Sequence, residues 1–173
     1  MPAENTYVPI FTANGTGSSA IISFTSIPST YTDLVIAGSY SGTAGAGFDM
    51  TLNNVTTNTS YSLTRITFSG ASATSYRSSN QNQFSLNYNG TIAITPEYST
   101  ILINLFNYAN TTTYKTMLAK YGNTGTDLGP IAGQWRGSTG SATEAINRID
   151  LKAAGGANWT TGTTFSLYGI KAA

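Results

Sequence analysis

Apolar and β-branched residues recur along this chain in short runs, parted at regular spacing by clusters of Gly, Asn, Ser and Pro. That is the pattern of a sandwich or barrel of short strands, and it predicts about ten of them. Residues 7–11 and 20–24 come first, separated by the turn-forming Asn14-Gly15-Thr16-Gly17. Residues 33–40 contain Leu34-Val35-Ile36, apolar on both faces, and read as a central strand. Beyond a Gly-rich loop at 41–47, Phe48, Met50 and Leu52 alternate with Asp49 and Thr51, which places the acid on the outward face of a half-buried strand.

A strand at 61–68 precedes residues 69–83, a long polar stretch that holds Tyr76 and Arg77 and almost no aliphatic side chain; it reads as a surface loop of the kind that often carries function. Asn89-Gly90 is the strongest hairpin signal, because that pair accepts the positive φ of a type I′ turn. Residues 100–108 form the most apolar strand, and 114–121 favour a strand although Met117-Leu118-Ala119 also permits a helical turn. A loop at 122–129, a strand at 131–136 with Trp135, a loop at 137–143, a strand at 145–152 and a last strand at 163–170 complete the chain. In the strand at 145–152, Asn147, Ile149 and Leu151 share one face and Arg148, Asp150 and Lys152 the other. No long helix, repeat or linker is predicted.

Composition supports the same class and narrows the chemistry. The 173 residues suit one domain with a two-layer core. Only 9% are charged, against roughly a quarter in ordinary globular proteins, and Ser, Thr, Asn and Gly take their place. A net charge of +1 supplies no field for nucleic acid or an anionic membrane, so neither is expected as a partner. Met1-Pro2-Ala3-Glu4-Asn5 has neither a basic nor an apolar leader pattern, which predicts synthesis in a cytoplasm.

Histidine and cysteine are both absent, which removes the usual general base, thiol chemistry and the commonest ligands of zinc. None of the nineteen serines sits in a Gly-x-Ser-x-Gly or Ser-x-x-Lys motif, and no phosphate-binding Gly-Lys-Ser/Thr occurs. The chain is therefore expected to be no enzyme and to hold no metal and no cofactor. Of the seven acids only Asp127 and Glu144, both placed in loops near Trp135, suggest a glycosidase pair, which needs its carboxylates roughly 5 to 10 Å apart. An incidental calcium ion at Asp49–Asn54 lacks the Asp-rich loop motif.

Aromatic faces stack on sugars while Asn and Thr satisfy hydroxyls, so aromatics beside loops are candidates for glycan or subunit contact. Tyr76, Arg77, Trp135, Arg136 and Trp159 are the candidates here, whereas Phe24, Phe48, Phe106 and Phe165 alternate with polar residues and read as core. Residues 1–12 read as an N-terminal arm or first strand, with Tyr7, Val8, Ile10 and Phe11 as assembly contacts, ahead of a single β-sandwich at 13–173.

Several stretches carry a resemblance. Tyr7-Val8-Pro9-Ile10, the run Ile27-Pro28-Ser29-Thr30-Tyr31-Thr32-Asp33-Leu34-Val35-Ile36, Asn107-Tyr108-Ala109-Asn110-Thr111-Thr112-Thr113-Tyr114-Lys115, Trp135-Arg136, Ala145-Ile146-Asn147-Arg148-Ile149 and Phe165-Ser166-Leu167-Tyr168-Gly169-Ile170 look like small virion structural proteins of tailed bacteriophages, many from aquatic hosts. The similarity spans nearly the whole chain. It implies an all-β fold, a single antiparallel β-sandwich of jelly-roll type, and a virion location; it implies no catalytic residues. Within a virion, a lone domain without coiled coil or repeat suits a capsid decoration or cement protein on the head. That role predicts a homotrimer contacting other virion proteins such as the major capsid protein. The alternative is a tail-fibre or receptor-binding module that recognises host surface glycan.

Overall fold

A computed structural model describes residues 6–45, 47–87, 93–94, 96–123 and 127–171. Twelve strands appear among them: β1 (Tyr7–Asn14), β2 (Ile21–Phe24), β3 (Asp33–Tyr40), β4 (Phe48–Leu52), β5 (Tyr61–Ser69), β6 (Ser72–Gln81), β7 (Phe84–Ser85), β8 (Ser99–Phe106), β9 (Lys115–Gly122), β10 (Asp127–Trp135), β11 (Ile149–Ala153) and β12 (Thr164–Ile170). The described residues contain no helix. The strands form two antiparallel sheets, one of eight in the order β1-β12-β3-β8-β9-β10-β5-β6 and one of four in the order β2-β11-β4-β7. The protein is thus an all-β sandwich, as the spacing of apolar runs predicts.

The core lies between the sheets and follows from period-two alternation. Leu34 and Ile36 of β3, Ile101, Ile103 and Leu105 of β8, Met117 and Ala119 of β9, and Phe165 and Leu167 of β12 point inward from the large sheet; Phe48, Met50, Leu52, Ile149 and Leu151 meet them from the small one. Tyr40, Phe48, Trp159 and Phe165 form an aromatic cluster in which Trp159 presents edges to Tyr40 at 5.8 Å, Phe48 at 5.2 Å and Phe165 at 5.4 Å between ring centroids. Close packing here depends on glycine: a Cβ at Gly38 falls 2.3 Å from the Phe165 ring, and one at Gly133 falls 2.7 Å from Phe84 and 2.9 Å from Met117. Neither position admits a side chain without moving a core group.

Three expectations change. Residues 69–83 are mostly not a loop: Ser72–Gln81 is the edge strand β6, paired antiparallel with β5. It has no aliphatic row because nine of its ten residues are exposed, so neither face needs one. The expected loop at 122–129 shortens, since β9 runs through Gly122 and β10 begins at Asp127. The strand expected from 145 begins only at Ile149, because Asn53 takes over the backbone before it. Its side chain accepts from the amides of Asn147 (2.9 Å) and Arg148 (3.2 Å) and donates to the Ala145 carbonyl (2.7 Å), which occupies groups a ladder would otherwise use. Of the two readings of residues 1–12, arm or first strand, the described residues take the second: Tyr7 to Thr12 belong to β1, laid along β12 at the edge of the large sheet. The Asn89-Gly90 hairpin lies outside the described residues.

Candidate functional site

The two tryptophans proposed for sugar contact are core residues, 1% exposed at Trp135 and 0% at Trp159. The Trp159 indole donates to the Leu151 carbonyl at 3.1 Å, and Trp135 sits inward between Tyr61 and Lys115 on the neighbouring strands. Trp135 is the last residue of β10 and Trp159 lies between β11 and β12, positions at which ring burial and proximity to a turn coincide.

The candidate catalytic pair also comes apart. Asp127 opens β10 and Glu144 follows its far end, where it accepts from the Ser138 amide at 3.3 Å and from the Ser138 hydroxyl. Eight residues of extended strand separate Asp127 from Trp135, or roughly 26 Å at the usual rise, far beyond the spacing such a pair requires.

Asp49 and Asp150 do stand on the outer side of the small sheet, but both are buried, at 6% exposure, instead of solvated. Arg148 holds Asp150 through both Nε and Nη2 at 2.8 Å, and the Ser23 hydroxyl donates to the same carboxylate. Asp49 faces Lys152 and Ser85 across β4. Burial pushes its pKa above the usual carboxylate value, outweighing Ser85, Lys152 and Gln83, which pull it down. A raised folded-state pKa contributes stability that is complete below the unfolded value and is lost as pH rises through the folded one. Asp49→Asn is therefore expected to match the wild type below about pH 4 and to gain stability over it progressively above; urea midpoints across that range check this, and a variant less stable at neutral pH contradicts it.

Lys115, not singled out in the sequence, is buried at 1% exposure opposite Trp135, with its ammonium donating to the Thr113 carbonyl at 2.6 Å. Burial lowers its pKa while the Glu144 carboxylate opposes the shift. This is a structural cation closing the turn before β9, since its donor is committed to backbone.

Tyr76 and Arg77 lie on opposite faces of β6. Tyr76 is cross-strand to Arg65, whose guanidinium stacks 4.4 Å above its ring and donates to the Asn87 carbonyl at 2.9 Å. Arg77 is cross-strand to Thr64 on the outer face. Arg136 reaches Asn80 at 3.1 Å and Ser62 at 3.4 Å, bracing the end of β6. In β1, Tyr7 and Phe11 are more than half exposed, with Tyr7 edge-on to Tyr168 at 6.4 Å and Phe11 edge-on to Phe24 at 5.9 Å; Val8 is half-buried and Ile10 packs on the core.

The feature that the residues build together is the outer face of the large sheet. Antiparallel sandwiches ordinarily present polar side chains there. Here Ile66, Phe68, Leu102, Phe106, Leu118 and Leu128 all stand out from β5, β8, β9 and β10 with 37 to 52% of their surface exposed. Register makes them one patch: Ala132 is opposite both Thr64 and Leu118, Leu118 is opposite Asn104, Leu102 is opposite Lys120, and Leu128 is opposite Phe68. Between them lies a shallow depression of about 460 Å³ lined by Ile66, Phe106, Leu118, Pro130 and Ala132, with Thr64, Asn104 and Lys120 as its polar groups. At roughly 80 Å² for each half-exposed large side chain the six expose on the order of 500 Å², in the range of the largest apolar patch on a typical monomer, about 300–600 Å², which is often functional. No three acidic side chains converge as a metal site among the described residues. The site can exclude water against an apolar partner.

No family model, curated protein or solved structure matches this chain.

Proposed function

We propose that the chain is a non-enzymatic virion structural protein, a capsid decoration or cement protein on the head of a tailed bacteriophage, which lies with the outer face of its large sheet on other virion proteins such as the major capsid protein. The observation that carries the assembly role is the patch of Ile66, Phe68, Leu102, Phe106, Leu118 and Leu128 on a sheet face that would be polar in a free sandwich. The virion setting rests on the sequence resemblance. Low charge suits such a role, because a surface mostly of Ser, Thr and Asn around an apolar centre leaves few ions to seat at the rim, Lys120 and Arg77 among them.

Strand order supports the jelly-roll reading. The sheet β2-β11-β4-β7 faces the run β3, then β8-β9-β10, then β5 and β6. Counting the β8-β9-β10 meander as one element leaves eight in the arrangement of a double Greek key, with β1 and β12 added at the edge beside β3.

A tail-fibre or receptor-binding role towards host surface glycan is the second reading, supported by the exposed Tyr76 and Arg77 on β6. It is the weaker one because Trp135 and Trp159, its best stacking platforms, are enclosed. Locating the protein on the intact particle by electron cryomicroscopy tests both. Hundreds of copies over the head are expected; a handful at the tail moves the role to adhesion, and absence from purified particles rejects the virion assignment.

A further inference from the structure

Among the described residues β6 pairs with β5 alone and ends the large sheet. Nine of its ten residues are exposed, so water reaches both faces and the free edge. A strand in that position buries little to offset the entropy of ordering it.

The other edges of the two sheets are blunted in ways known to prevent strand addition. β1 carries Pro9, which lacks an amide hydrogen, and its register shifts between Pro9 and Phe11. β2 is four residues long and β7 two. β6 has no proline and a single charge, Arg77, and its one register shift is confined to its C-terminal end, opposite Tyr61–Leu63. Its register against β5 is continuous from Ser78 opposite Leu63 to Ser72 opposite Ser69.

We propose that β6 pairs antiparallel with β6 of a second copy about a two-fold axis at Ser75, joining two eight-stranded sheets edge to edge. The inference deepens the assembly reading by naming the unit that assembles. A strand pairing with its own copy needs only one surface, which is the commonest route to a symmetric oligomer. At this register Ser75 meets Ser75, Arg77 meets Ala73 and Tyr76 meets Thr74, so no charge opposes its like. Arg77 and Ser75 share the outer face with Thr64 and Ile66, so the two apolar patches flank the seam and present one face twice as wide. A three-fold arrangement through β6 would require a second, different edge to receive it, and β1, β2 and β7 are each blunted. The two-fold dimer thus replaces the homotrimer expected from sequence.

Sedimentation and light scattering of the purified chain at micromolar concentration are expected to give twice the chain mass, with slow amide exchange within 72–78. The double variant Ala73→Lys/Ser75→Lys sets ammonium groups against Arg77 and against each other across the axis. Its dissociation constant is expected to rise about tenfold or more, with faster exchange within 72–78, while Ser75→Thr stays dimeric. Phe106→Ser/Leu118→Ser, on the docking face, is expected to remain dimeric, which separates failure of the pairing from failure of the docking role. A monomeric or trimeric wild type, or a dimer that the lysine pair leaves unchanged, overturns the proposal.

Discussion

Trp159→Ala lowers the unfolding free energy by about 4 to 5 kcal/mol, the upper end of the range for deleting a buried aromatic. The side chain is fully enclosed, it meets three other rings, and its indole N–H donates to the Leu151 carbonyl at 3.1 Å. Truncation leaves both a cavity between the sheets and an acceptor on β11 without its donor, and each costs stability separately. Urea unfolding should show a lower midpoint at an unchanged slope, and thermal unfolding a midpoint lower by roughly 8 to 20 °C. A variant of wild-type stability that fails only in glycan binding would falsify the core assignment and restore Trp159 to the surface site.

Phe106→Ser/Leu118→Ser is expected to behave in the opposite way. Both side chains project from the large sheet with 37% and 47% of their surface exposed, so their loss opens no enclosed cavity and costs only the burial of the covered part of each, about 2 to 3 kcal/mol together. If the patch docks on another virion protein, each residue loses the burial of roughly 80 Å² of apolar surface, or about 2 kcal/mol. Together they weaken attachment by up to about a thousandfold. Co-sedimentation of the purified variant with particles stripped of the protein reads this directly. Undiminished attachment of the folded double variant would place the interface elsewhere.

The two variants separate what the chain alone discloses from what its folding adds. Alternation in Phe48-Asp49-Met50-Thr51-Leu52 located β4, and the runs at 33–40, 61–68 and 163–170 match β3, β5 and β12 within about a residue. Residues 114–121 favour a strand over a helical turn, and β9 runs from Lys115 to Gly122. The apolar outer face left a trace in β8, where Leu102 and Phe106 form a second apolar row between Ile101, Ile103 and Leu105. That doubled row reads as a central strand covered on both sides. Whether a layer covers the second row depends on which strands lie beyond it, and nothing within eight residues encodes that.

The sequence by itself determined the class of the fold, the parity of most strands and a chemistry without histidine or cysteine, because these depend on local periodicity and residue type. Only the tertiary structure decided that Trp135 and Trp159 are core, that Asp127 and Glu144 lie at opposite ends of β10, that residues 72–81 form an edge strand and that one outer face is apolar. All four depend on antiparallel partners distant along the chain, whose order fixes which row of each strand meets the second sheet and which meets water.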